Sequence, residues 1–153
     1  MAADGDDGAR AGEAAGEVAE EATRLPDGGD PLGVTVIGAR GRMGALLCDV
    51  VMERDATRLV GAVDAHDDGE IGAVAVLPPD RIEEALADAA VAIEFSVPEG
   101  TVRAAEAAAA TDTALVSGTT GLTDDQEGAV ADAATAVPVV RASNFATGVN
   151  AFW

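Results

Sequence analysis

From Leu32 onward the chain switches between two rhythms of apolar and polar residues. Short aliphatic runs read as buried parallel strands: "GVTVIG" (33–38), "RLVGAVD" (58–64), "VAIEFS" (91–96), "TALVSG" (113–118) and "VPVVRAS" (137–143). Between them the spacing turns helical. "RMGALLCDVVMERD" sets Met43, Leu46, Leu47, Val50 and Val51 on one helical face. "GAVAVL" (72–77) predicts a short strand, and "PDRIEEALADA" and "PEGTVRAAEAAAA" predict helices opened by proline. "TDDQEGAVADAAT" predicts a helix with Thr123 as its N-cap. Strand and helix alternate throughout, with no repeat of fixed period. The expected fold is α/β: a doubly wound parallel sheet of the Rossmann type, with helices on both faces.

Residues 1–31 lack this patterning. They carry nine acids, two arginines and almost no large apolar side chains. The expectation is a disordered acidic tail, with a transient helix around Glu13 to Arg24. The domain proper is then 32–150, and 151–153 opens a further segment. A chain of 153 residues has room for one domain with a real core and hardly for two. It stops on two bulky aromatics, Phe152 and Trp153, which leads us to expect that a following domain is missing, with a short natural chain as the alternative.

Charge narrows the partners. Nine basic residues, all arginine, face 28 acidic ones, for a net charge of −19. Nucleic acid and anionic membrane are poor partners for such a chain. An acidic surface without lysine also fits a salt-rich cytoplasm, where carboxylates stay hydrated and their repulsion is screened. On the halophilic reading, melting temperature rises steadily from low to molar KCl; a flat series contradicts it. The single cysteine, Cys48, excludes an internal disulfide and is expected to be a buried thiol. The single histidine, His66, lies in the acidic stretch "DAHDDGE", so no metal site is expected. No run of about 18 apolar residues is present to span a membrane, and no basic-then-apolar signal opens the chain. The expected location is cytoplasmic.

The chemistry concentrates in "IGARGRMG", a G-x-x-G-x-x-G run between a strand and a helix. Gly38 turns the chain off the strand, Gly41 lets backbone approach a pyrophosphate, and Gly44 lets the helix lie close. Helix N–H groups there meet phosphate. Arg40 and Arg42 are either solvated surface charges or, beside a pyrophosphate, countercharge. Asp64 ends the next strand, 20 residues after Gly44, where an acid holds ribose hydroxyls. Ala65 follows it where a basic residue would favour a 2′-phosphate, so NADH should bind at least as well as NADPH unless Arg42 rescues the latter. The alternative is a tight turn without a ligand. Three more loops follow strand ends: "EFSVPEG", "SGTTG" and "ASNFATGVN". Thr119 and Thr120 can bond an amide or carboxylate, Asn144 both donates and accepts, and Phe95 and Phe145 can pack on a flat ring.

"IGARGRMG", "EFSVPEGT", "SGTTG" and "SNFATGVN", in that order, resemble the 4-hydroxy-tetrahydrodipicolinate reductase family, also called dihydrodipicolinate reductase. The resemblance runs from about Val34 to Trp153. It implies reduction of a cyclic dicarboxylate with NADH or NADPH in lysine and diaminopimelate biosynthesis. It also implies that Gly38, Ala39, Arg40, Gly41, Arg42 and Met43 wrap the pyrophosphate and that Asp64 takes the adenine-side ribose. Phe95, Ser96, Gly118, Thr119, Thr120, Ala142, Ser143, Asn144 and Phe145 would lie by the nicotinamide, and Asn150 near the hinge. The family's paired histidines, lysine and Ser-Gly-Thr substrate loop have no counterpart here, so no catalytic residue is assigned. The chain is expected to supply the cofactor half of the enzyme and to turn over little alone. Family members are implied to be homotetramers, assembled mainly through the second domain, so this chain should be monomeric or weakly associated. Two other readings stay open: a non-catalytic dinucleotide-binding module or truncated relic, and a relative of aspartate or homoserine dehydrogenase.

Overall fold

The computed structural model describes residues 29–66 and 69–145. The expected acidic tail with its helix, the loop around 67–68 and the segment from 146 on, with Asn150, Phe152 and Trp153, lie outside the described residues, apart from 29–31.

The apolar runs form strands where the sequence placed them: β1 (Leu32–Ile37), β2 (Thr57–Val63), β5 (Val91–Glu94), β6 (Ala114–Ser117) and β7 (Val139–Arg141). The helices between them are α1 (Arg42–Glu53), α2 (Ile82–Leu86), α3 (Pro98–Thr111) and α4 (Asp124–Ala133). Thr123 caps α4 in a full capping box with Gln126. One expectation needed correction, and one strand was not foreseen. The helix begun at Pro79 is a single 3-10 turn, Pro79–Arg81, before the five-residue α2. "GAVAVL" forms β4 (Val74–Leu77), and a two-residue strand β3 (Glu70–Ile71) folds back on it antiparallel. The sequence concealed β3 because two residues carry no period; the turn at Gly72, φ +62°, is what makes the hairpin.

The sheet order is β3-β4-β2-β1-β5-β6-β7, parallel except for β3. The chain winds outward from β1 to β4, then crosses back to β5 on the other side of β1. That reversal is the switch point where open α/β sheets bind ligands, beyond the carboxyl ends of the strands.

Helices occupy both faces, unequally. α2, α3 and α4 pack on one face through Ile82, Leu86, Ala104, Ala105, Ala108 and Val130 against Ile37, Val63, Ala92 and Leu115. Alanines on α3 let that helix lie close, which explains a core poor in large side chains. α1 alone, among the described residues, covers the other face, packing Cys48 and Val51 on Val34, Val36, Leu59 and Ala62. The inward side of α1 is Gly44, Cys48 and Val51. Met43, Leu46 and Val50, which the spacing alone turned inward, face out, with Leu46 60% exposed. The close approach at Gly44 sets that rotation, and side-chain size does not reveal it.

Cys48 is buried, as expected. Burial pushes its thiol up, helped by Asp49 and opposed by Arg40. The folded state therefore holds this proton to higher pH than the unfolded chain. The associated stabilisation is complete below about pH 8.5, the ordinary thiol range, and is lost as pH rises through the folded value. Chemical denaturation from pH 7 to 10 should show a decline that a Cys48→Ala variant lacks; parallel profiles contradict the assignment.

Candidate functional site

The carboxyl ends of β1, β2 and β5 open onto one cavity of about 560 Å³. Gly38, Arg40 and Gly41 line it from the loop after β1, Asp64 and His66 from the loop after β2, and Phe95 and Ser96 from the loop after β5.

The turn after β1 is dictated by close contacts. Gly38 has φ +80°, a region that favours glycine. Its amide donates to the Val63 carbonyl at 2.8 Å, and its carbonyl accepts from the Gly41 amide at 3.0 Å. A Cβ on Gly38 would strike the Phe95 carbonyl, and one on Gly44 would strike the Gly38 carbonyl. Gly41 differs. Its backbone is extended, φ −66° and ψ 163°, and an added Cβ would sit 3.2 Å from the Gly38 oxygen. Backbone strain does not demand glycine there; the added Cβ would be tight against the Gly38 oxygen, and Gly41 also lines the cavity. Gly41 caps α1 with no side-chain bond, so the first amides of a 12-residue helix lack an intrahelical partner. Small residues and free amides at a helix start fit a pyrophosphate.

Asp64 stands at the rim. Its Oδ2 accepts from the Arg40 amide at 2.8 Å and its Oδ1 from the His66 amide at 3.0 Å. Both oxygens are thus fixed in direction and keep a lone pair for a hydroxyl donor. The Arg40 guanidinium reaches the Glu70 carbonyl of β3 at 3.4 Å, so the hairpin missed in the sequence anchors it. Ala39 is buried beneath the turn. Arg42 and Met43 are exposed in the first turn of α1 and do not line the cavity.

The remaining expected residues gather at the ends of β5, β6 and β7. The Phe95 and Phe145 rings lie 6.1 Å apart, tilted by 56°. Gly118 sits against Phe95, where a Cβ would run into the ring. Thr119 accepts from the Ser96 amide at 3.0 Å, and the Ala142 amide donates to the Ser117 carbonyl at 3.2 Å. Thr120, Ser143 and Asn144 are exposed on the same rim. His66 is exposed at the cavity, and no cluster of three metal-ligating side chains exists among the described residues.

Sequence reasoning missed Glu94. It is 0% exposed, yet its carboxylate collects five donors. Oε1 accepts from the Ser96 amide (2.7 Å), Ser96 Oγ (2.5 Å) and Thr119 Oγ1 (2.7 Å). Oε2 accepts from Thr101 Oγ1 (3.0 Å) and Ser117 Oγ (2.6 Å). The available signal was an acid as last residue of the apolar strand "VAIE", followed by hydroxyl residues in both neighbouring loops.

A doubly wound sheet with a glycine turn and an acid at the adjacent strand end defines a dinucleotide-binding domain. The profile for dihydrodipicolinate reductase, N-terminus, matches residues 32–145. The chain belongs to that family. It is 43% identical over 127 residues to 4-hydroxy-tetrahydrodipicolinate reductase of Alkalilimnicola ehrlichii, covering 76% of this chain and 48% of that protein. The same enzyme of Methanocorpusculum labreanum is 40% identical over 124 residues, covering 78% and 48%. The chain thus spans about half the length of the curated relatives it matches. Among solved structures, dipicolinate-bound dihydrodipicolinate reductase from Paenisporosarcina sp. TG-14 superposes with a TM-score of 0.63 at 24% identity, covering 77% and 49%, which supports the fold. The N-terminal domain of this family binds NADH or NADPH.

Proposed function

We propose that this chain holds NADH or NADPH as the cofactor half of a reductase acting on 4-hydroxy-tetrahydrodipicolinate, in lysine and diaminopimelate biosynthesis. The observation that carries the reading is the start of α1: a glycine turn and a helix N-terminus without a side-chain cap, facing a cavity rimmed by Asp64. In this reading Gly38 to Met43 cradle the pyrophosphate, with Arg40 and Arg42 as countercharge. Asp64 accepts hydrogen bonds from the adenine-side ribose. Phe95, Ser96, Gly118, Thr119, Thr120, Ala142, Ser143, Asn144 and Phe145 form the nicotinamide-side rim.

The cofactor, when bound, supplies a hydride. What the chain supplies is orientation: a rigid strand-end platform that fixes the dinucleotide, and aromatic surface that excludes water from one side of the ring. The domain boundaries follow, with a nucleotide domain from 32 to 150 preceded by an acidic tail. No helix among the described residues is long and apolar enough to cross a membrane; we place the protein in a cytoplasm, with high salt as the setting its charge favours. The substrate is a small cyclic dicarboxylate, and the chain by itself is monomeric or weakly associated.

A second reading, a dinucleotide-binding module without turnover of its own, is favoured by one fact: the 153 residues hold one histidine and no lysine. One assay separates the two. NADH oxidation with 4-hydroxy-tetrahydrodipicolinate is expected to be negligible for this chain and to appear when the chain is extended by a relative's second half. Failure of that extended, folded protein to turn over supports the module reading.

A further inference from the structure

Resting on the dinucleotide reading above, we infer that Glu94 is a positioning residue: its buried carboxylate locks the loops after β5 and β6 together and so sets the nicotinamide-side rim. A carboxylate without surface exposure is costly unless fully bonded. Here the cost is met by donors from three separate elements. Ser96 belongs to the loop after β5, Thr101 to α3, and Ser117 and Thr119 to the end of β6 and its loop. Glu94 lies on β5 itself, at the switch point, so the joint is anchored in the sheet.

The geometry is specific to the rim. Ser96 gives Oε1 both its amide and its hydroxyl, at 2.7 and 2.5 Å. Thr119 donates to the same oxygen at 2.7 Å while accepting from the Ser96 amide at 3.0 Å. Those contacts close a ring across the two loops. Phe95, between Glu94 and Ser96, has its own amide bonded to Ile37 at 3.0 Å, and its ring is wedged against Gly118. Releasing the carboxylate therefore frees Ser96 and Thr119 together, beside the Phe95 ring. The glycine turn and Asp64 use none of these bonds.

Glu94→Gln keeps the volume and removes one acceptor. The Ser96 amide can only donate, so the variant's amide oxygen must replace Oε1. Its NH₂ then faces the Thr101 and Ser117 hydroxyls, which must both turn. Ser117→Ala removes a donor to Oε2 from a buried residue that does not line the cavity. The test is calorimetric titration of the wild-type chain and both variants with NADH and with ADP-ribose, which lacks the nicotinamide. We expect Glu94→Gln to weaken NADH about tenfold, the scale of one charge-assisted hydrogen bond, with ADP-ribose within about twofold. Ser117→Ala should show the same selectivity, more weakly, and the double variant should lose less than the sum. The fluorescence of bound NADH should shift toward that of the free cofactor in each. Equal loss of both ligands, or loss of neither, overturns the inference. If Glu94→Gln does not fold, the Ser117→Ala selectivity decides alone. A folded wild-type chain that binds neither ligand overturns the dinucleotide reading itself, and this inference with it.

Discussion

Gly44→Ala is expected to cost about 3 kcal/mol of stability, or roughly 10 °C in melting temperature, and to abolish dinucleotide binding. The new methyl group would occupy the space of the Gly38 carbonyl. That oxygen already accepts from the Gly41 amide at 3.0 Å, so it cannot move without opening the turn. The helix must retreat instead, taking Cys48 and Val51 out of the core. Gly38→Ala should resemble it, since a left-handed φ of +80° and the Phe95 carbonyl both oppose a side chain. Gly41→Ala is the informative contrast. Its backbone is extended, and the Gly38 oxygen 3.2 Å from the added Cβ need give only by a few tenths of an ångström, so it should lose clearly less stability than Gly44→Ala, about 1 to 2 kcal/mol, and still lose binding tenfold or more. Thermal melts paired with NADH titrations check all three. A Gly41→Ala variant that binds normally would remove the phosphate cradle from the account.

Asp64→Asn should redirect cofactor preference. The carboxylate points its two oxygens through bonds to the amides of Arg40 and His66. A 2′-phosphate at the same place would meet a negative charge, so the wild-type chain should bind NADH at least as tightly as NADPH. Asparagine keeps one acceptor and sets an NH₂ against the other backbone donor, for about 1 kcal/mol of stability. NADH affinity should fall about tenfold, and NADPH should lose less or gain, because the repulsion is gone. An unchanged ratio of the two affinities would take the ribose role away from Asp64.

The legible part of this molecule is the part that repeats. Strand runs such as "GVTVIG" and "VAIEFS", the proline opening α3 at Pro98 and the Thr123 cap of α4 follow from local propensity, so their elements appeared within a few residues of expectation. The turn at Gly38 and the placement of Asp64 at the end of β2 were legible because each depends on local chain geometry. What the sequence hid depends on contacts between distant segments. α1 rotates to bring Gly44 onto Gly38, so Met43, Leu46 and Val50 lose the inward face, which Gly44, Cys48 and Val51 hold. β3 exists only through its pairing with β4. Glu94 reads as an ordinary strand-end acid until Ser96, Thr101, Ser117 and Thr119, up to 25 residues away, converge on it.

The same logic divides the site. Gly38, Arg40, Gly41, Asp64, Phe95 and Ser96 share one cavity, whereas Gly118, Thr119 and Phe145 join it through Phe95 and Ser96. In the proposed reading the adenine side rests on backbone geometry near β1, and the nicotinamide side on the Glu94 joint.

Calorimetric titration of the folded 153-residue chain with NADH tests the central claim most directly. The account predicts saturable one-to-one binding that ADP-ribose competes away and Gly44→Ala eliminates. A folded chain that shows no saturable binding of NADH or NADPH would contradict it.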